Sequence, residues 1–269
     1  MPLCSKRWFA RRLLAVLLLC GAPGLALPAD PPAVPAPFEQ LVPATLGDGL
    51  ALVEVRKRCD NCEPWRLVDF RSNDSATPVW REKVSVRAGV TAMYAYPGTG
   101  YFANVKLEQS MPGMYEQDKA VVIRALDHDF RHLKARVVSY LESNPAAREK
   151  VASLLPPGKE VMESERHTLQ GVHYASYTLN VLGLSGGTIS QIHFFVPGRD
   201  LIVTAYLLQQ KNAKFTTIAE FLRLRAAFIQ SWTGLLAASA PVGASAGDHA
   251  GGQQRQGGGL EGARPAALP

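Results

Sequence analysis

Two stretches decide the fold class: TISQIHFFV at 188–196 and LIVTAYLLQ at 201–209, joined by the turn Pro197-Gly198-Arg199-Asp200. In the second, Leu201, Val203, Ala205 and Leu207 alternate with Ile202, Tyr206 and Leu208, so both faces are apolar. Such a strand is central and covered on both sides. Upstream, 160–169 and 172–182 are rich in β-formers and joined by Gln170-Gly171, which suits a two-residue hairpin turn. That turn sets Leu169 opposite Val172, Thr168 opposite His173 and His167 opposite Tyr174. The glycine-rich loop Gly183–Gly187 then leads into the 188–196 strand.

Before the meander the period changes. Val122, Leu126, Phe130, Leu133, Val137 and Leu141 recur at spacings of three and four, predicting one helix over about 115–143. Asn144-Pro145 ends it, and a short helix continues to Leu155. After the meander, Ile218, Leu222, Phe228, Ile229, Trp232 and Leu236 stripe a final helix over about 216–236. The first third reads as strands at 50–55, 65–71, 79–87 and 101–110. Strands, a long helix, a meander and a last helix give an α+β protein, an antiparallel sheet packed by a long central helix and a C-terminal helix.

The folded part is expected to be a single domain over 38–236. Residues 1–26 combine a basic start (Lys6, Arg7, Arg11, Arg12), an apolar run from Leu13 to about Ala22 and small residues at Gly24 and Ala26, the pattern of a cleaved signal peptide. The apolar run is roughly half the ~20 residues a spanning helix needs, which argues against a retained anchor. Leu19 before Cys20 is wrong for lipid modification. Residues 27–37 form a proline-rich linker, and 237–269 are a Gly/Ala-rich tail with too few large apolar side chains to order. The expected location is periplasmic or secreted, with no integral membrane span after cleavage. Without 1–26, 25 basic residues face 23 acidic ones, a charge of +2 instead of +6. That balance gives no electrostatic footprint for nucleic acid.

Cleavage leaves Cys59 and Cys62, which in an oxidising compartment pair with each other. Arg56-Lys57-Arg58 before this C-x-x-C would favour a thiolate and redox activity. Yet a strand pattern precedes the pair, and Pro64 with a second strand pattern follows, so no helix N-terminus serves the first cysteine. A disulfide closing a hairpin-like loop around the turn dipeptide Asp60-Asn61 is the leading reading, thiol–disulfide exchange the alternative. Glu63 excludes haem attachment, and zinc would need two more ligands.

Other motifs are tested by context. His128 and His132 stand at i and i+4 on the long helix, a metal-binding spacing. Asp129 replaces the general-base Glu of zincins, however, and both imidazoles fall on the solvent side of the wheel. Gly183-Leu184-Ser185-Gly186-Gly187 matches a nucleophile elbow but is flanked by strands, with no usable downstream His. His167 and His173 point to opposite sheet faces, and His173 aligns with Ala175, Tyr177, Leu179 and Val181 as a core histidine. Tyr174, Ser176, Thr178 and Asn180, beside Ser190, form the other face. It is a solvated sheet face or, if there is a binding surface, a polar cleft. No cofactor signature is present.

The segments FANVKLEQS…YEQDKAVVIRAL and IVTAYLL…FTTIAEFLRLRAAFI resemble uncharacterised exported bacterial proteins. The order of long helix, meander and C-terminal helix resembles the PsbP/Mog1-like fold. The resemblance spans roughly 100–232 and implies a PsbP/Mog1-like sandwich. It also implies an accessory or binding role, toward an unknown envelope protein or small ligand, and carries over no site residue. The expected protein is exported and non-catalytic.

Overall fold

The computed structural model describes residues 36–47, 49–58, 62–71, 78–180, 187–209 and 218–239. The expected signal peptide, nearly all of the expected linker and tail, Cys59 and most of the Gly183–Gly187 loop lie outside them. A 3-10 turn (Ala36–Leu41) leads into β1 (Thr45–Leu46) and β2 (Leu50–Lys57). Next come β3 (Trp65–Arg71), β4 (Pro78–Ser85), β5 (Ala88–Tyr96) and β6 (Tyr101–Gln109). The helices α1 (Tyr115–Ser143) and α2 (Pro145–Leu154) follow. The chain ends with β7 (Met162–Leu169), β8 (Val172–Leu179), β9 (Gly187–Val196), β10 (Leu201–Gln209) and α3 (Ile218–Ala238).

Eight strands form one antiparallel sheet in the order β1-β2-β5-β6-β10-β9-β8-β7, and β3 and β4 pair separately. The protein is therefore α+β, as the element order implies. β10 lies between β6 and β9, near the middle of the sheet. The β7–β8 hairpin has the expected register, Leu169 with Val172 through His167 with Tyr174. Gln170 (φ +52°) and Gly171 (φ +78°) are both left-handed, which a two-residue turn between twisted strands requires. β5 is a strand that the sequence pattern does not announce, because Ala88, Gly89, Ala92 and Ala95 dilute its β-propensity.

One face of the sheet packs on α3. Ala92, Val105, Ala205 and Ile192 align across four neighbouring strands. Phe221, Phe228, Trp232 and Leu236 bear on this face and are wholly buried, in one apolar cluster with Phe194 and Leu107. The opposite face meets α1 through Val121, Val122 and Leu126, which cluster with Tyr177, Phe195 and Ile202. Asn144 ends α1, and Pro145 opens α2, where its missing N–H costs nothing.

The β3–β4 hairpin lies beside α1, held at several points. Ser85 N–H donates to Asp118 Oδ1 (2.9 Å) and Ser85 Oγ to Asp118 Oδ2. Arg124 pairs with Glu82, and Phe70 stacks on Trp80 at 4.5 Å between ring centroids. No helix among the described residues is long and apolar enough to cross a membrane.

Replacing Phe228 with Ala is expected to destabilise the protein by about 3–5 kcal/mol, the cost of a large cavity in a close-packed core. Val138→Ala on the exposed side of α1 should change stability by less than about 0.5 kcal/mol. Urea denaturation of the two variants checks the contrast.

Candidate functional site

Strand register puts a polar band on the α1 face of the sheet. Thr91, Lys106, Thr204 and His193 align across β5, β6, β10 and β9, and Asn104, Tyr206 and Gln191 form the adjoining row. β10 is thus apolar throughout only on its α3 face. On the other, Thr204 and Tyr206 stand between Ile202 and Leu208, so the two-faced apolar reading of this strand holds in part.

The band contains a directional hydrogen-bond chain. Tyr177 O–H donates to Gln191 Oε1 (3.0 Å). Gln191 Nε2 lies 2.9 Å from His193 Nε2, and an amide nitrogen can only donate, so that ring nitrogen accepts. His193 therefore carries its proton on Nδ1 and donates it to Thr204 Oγ1 at 3.0 Å. The Thr204 hydroxyl proton is left to point onward. Burial, reinforced by the positive charge of Arg66, pushes the His193 pKa down to about 3. The imidazole is neutral at physiological pH, with both nitrogens engaged.

This band is part of the floor of a two-lobed groove between β3 and the sheet. One lobe, about 230 Å³, is lined by Gln191, His193, Thr204 and Tyr206 below, by β3 residues 66–69, and by Asp129 of α1. The other, about 510 Å³, is lined among the described residues by Arg56, Lys57, Arg58, Arg66 and Lys106 against Glu63 and Glu108, with Arg56 also paired to Glu54. Arg66 and Lys106 line both lobes. Arg66 Nε donates to Glu108 at 2.7 Å, tying the hairpin to β6 between them. Arg58 donates to the Val86 carbonyl (3.0 Å) and to the Trp65 carbonyl (3.2 Å), holding the crossover from β2 into the hairpin.

The expected polar surface of β8 is brought together, but not as a cleft or a solvated face. Ser176, Thr178, Asn180 and Ser190 are buried, and Tyr174 is half-buried. Ser176 continues the row Ala92–Val105–Ala205–Ile192, so it belongs to the face that α3 covers. Arg225 of α3 reaches into this corner, pairing with Glu165 and donating to Ser176 Oγ (2.7 Å) and Ser190 Oγ (3.2 Å). Thr178 and Ser190 share a 3.0 Å hydrogen bond, and Asn180 Nδ2 donates to the Glu160 carbonyl (2.9 Å). The group is an internally bonded seam in which Asn180 Oδ1 alone among these side-chain oxygens is buried without a partner.

The histidines also differ from expectation. His128 is buried, not on the solvent side, because Phe70 and Trp80 of the hairpin close over it at 5.4 and 5.2 Å between centroids. Burial, followed by the charge of Arg131, lowers its pKa. His132 is half-exposed, its ring centroid 4.1 Å from that of His128. Among the described residues no group of three or more His, Cys, Asp or Glu is placed to hold a metal. His173 is exposed near the turn of its hairpin, not in the core, and meets Thr168 Oγ1 at 2.6 Å. His167 is exposed as well.

The C-x-x-C segment does not close a hairpin-like loop. β2 pairs with β1 and β5, whereas β3 pairs with β4 in the second sheet, so the segment is a crossover between sheets. Cys62 lines the cationic lobe.

Sequence reasoning missed the band of Gln191, His193, Thr204 and Lys106. Its signal was polar residues of matching parity on successive strands, hidden by the apolar residues flanking them. The chain matches no known protein family, no curated protein and no solved structure.

Because His193 folds neutral and the unfolded chain protonates it near 6.5, its burial must weaken stability as pH falls from 6.5 toward 3, and be without effect above 6.5. Relative to His193→Gln, the wild-type protein should lose up to about 1.4 kcal/mol per pH unit across that window. Denaturant titrations at a series of pH values provide the comparison.

Proposed function

We propose that this is an exported, non-catalytic binding or accessory protein of the cell envelope. Its site is the groove between the β3–β4 hairpin and the main sheet, taking an envelope protein or small ligand that carries an anionic group. The observation that carries this reading is the cationic lobe, where, among the described residues, five basic side chains meet two carboxylates of the lining and Glu54 on Arg56, a net positive wall beside a floor of hydrogen-bonding groups. The state of His193 favours recognition over chemistry. A general base works best with a pKa near the operating pH, and this imidazole lies far below it with both nitrogens occupied. A PsbP/Mog1-like sandwich is the finer fold that accompanies the proposal, supported by one sheet enclosed between α1 and α3.

The second reading is thiol–disulfide exchange through Cys59 and Cys62, favoured by the position of Cys62 among Arg56, Lys57 and Arg58. It requires a reduction potential well above the roughly −300 mV of structural disulfides, measured against glutathione. A lower potential leaves the pair as a structural clip.

Native mass spectrometry of the mature protein, purified from the envelope of an exporting host, tests the main proposal. A retained mass released by raised salt is the expected result, since an anion held by partly exposed cations is screened. For a protein partner, photo-crosslinks from position 91 in the groove to an envelope protein are expected instead. Absence of both a retained mass and a groove crosslink would refute the proposal.

A further inference from the structure

We infer that the polar lobe of the groove is a separate site for a small uncharged molecule, whose carbonyl oxygen accepts the Thr204 hydroxyl proton while its apolar body lies against α1 and β3. The inference goes beyond the proposed anion site, because it draws on neither the cationic lobe nor any charged side chain.

The hydrogen-bond chain on the floor ends with a donor to spare. Gln191 Nε2 donates to His193 Nε2, so His193 Nδ1–H donates to Thr204 Oγ1. The Thr204 hydroxyl is thus an acceptor within the chain, and its own proton has no acceptor among the described residues. Thr204 is only 3% exposed and lines the lobe. A buried donor left unmet is costly, and a ligand oxygen at this point removes the cost.

The charged side chains around the lobe favour a neutral occupant. Arg66 pairs with Glu108, and Asp69 with Arg81. Lys106 and Asp129 have partners as well. Two cations and two carboxylates border the lobe, so among the described residues neither sign prevails. The Arg66–Glu108 pair also stands between this lobe and the cationic one, which confines a small molecule to one of them.

The walls above the floor are apolar, formed by Val122 and Ala125 of α1 and by Leu67 and Val68 of β3. Apolar walls with a few placed polar groups are the usual make-up of a small-molecule site. Water against such walls lacks hydrogen-bond partners on that side. The lobe, at about 230 Å³, exceeds the ~150 Å³ cavity that takes benzene, so it admits a ring bearing a short carbonyl group. Leu67, 40% exposed, marks its mouth.

The probes are three molecules of matched size: acetophenone, which carries a carbonyl; isopropylbenzene, which is apolar; and benzoate, which is anionic. Each is titrated into the ¹⁵N-labelled mature protein, with the Thr204 and His193 amide resonances reporting binding. Acetophenone should bind at least ~10-fold more tightly than isopropylbenzene, which leaves the Thr204 donor unmet. Benzoate should bind at least ~10-fold more weakly than acetophenone, because its charge is buried beside cations already paired. Raised salt should leave acetophenone bound, whereas it releases an anion from the cationic lobe. Thr204→Val should bring acetophenone down to the level of isopropylbenzene, while Thr204→Ser preserves its binding. Ala125→Leu fills the lobe from α1 without altering the hydrogen-bond chain, and should weaken acetophenone at least ~10-fold.

Equal binding of acetophenone and isopropylbenzene overturns the inference even if Thr204→Val fails to fold. Tighter binding of benzoate, or full binding by Ala125→Leu, overturns it too. So does an imidazole ¹⁵N spectrum that puts the His193 proton on Nε2, since the Thr204 hydroxyl then donates to the ring. No acetophenone binding, in a protein that still retains an anionic ligand, overturns this inference alone. Loss of both retained mass and groove crosslinks overturns the proposed function instead.

Discussion

The structure depends on burying both faces of one wide antiparallel sheet. On the first face the task is met by α3, whose 21 residues span about 31 Å and lay Phe221, Phe228 and Trp232 across the middle strands. Each such side chain contributes about 1.5–3 kcal/mol of transfer free energy, so this contact dominates the core. The second face is only partly apolar, and α1 covers Tyr177, Phe195 and Ile202 without reaching across the whole sheet. The β3–β4 hairpin covers part of the remainder, held by Asp118, Glu82 and Glu108. The hairpin is fixed by these polar ties and by the packing of Val84, Val68 and Phe70 on the α1 side, and the space left beneath its edge is the groove.

A buried polar floor is costly wherever a group lacks a partner. The chain from Tyr177 through Gln191 and His193 to Thr204 meets that requirement for these four side chains, while Asn104 Oδ1 in the adjoining row is buried without one. It also orders every proton in one direction. Burial raises the Tyr177 pKa as it lowers that of His193, so both remain uncharged. Such a floor presents preorganised neutral donors and acceptors beside the charged side chains Arg66, Asp69, Lys106 and Asp129, whereas the other lobe is mainly cationic.

Local periodicity was enough to read α1, α3, the Gln170-Gly171 turn and the β7–β8 register, because each depends on residues close in sequence. The failures share a physical origin in distant contacts. The wheel placed His128 away from the α1 apolar stripe correctly, but Phe70 and Trp80 come from a hairpin far upstream and bury it. Alternation placed Ser176 and Thr178 on one face correctly, yet only α3, with Arg225, determines that this face is covered. The crossover at Cys62 looked like a hairpin because β2 and β3 are neighbours in sequence. Which sheet each strand joins is decided by partners that neither strand encodes alone.

Strand edges bring these lines together. An exposed edge invites pairing, and proteins blunt it with shortness or charge. At one end of the main sheet β1 is two residues long, and at the other β7 carries Glu163, Glu165, Arg166 and His167. β4 carries Arg81, Glu82 and Lys83 along its length. β3 carries Arg66 and Asp69 around the uncharged pair Leu67-Val68, and it borders a groove whose other described walls are the main sheet and α1. The protein thus guards its strand edges by length and by charge, and along β3 by enclosure as well.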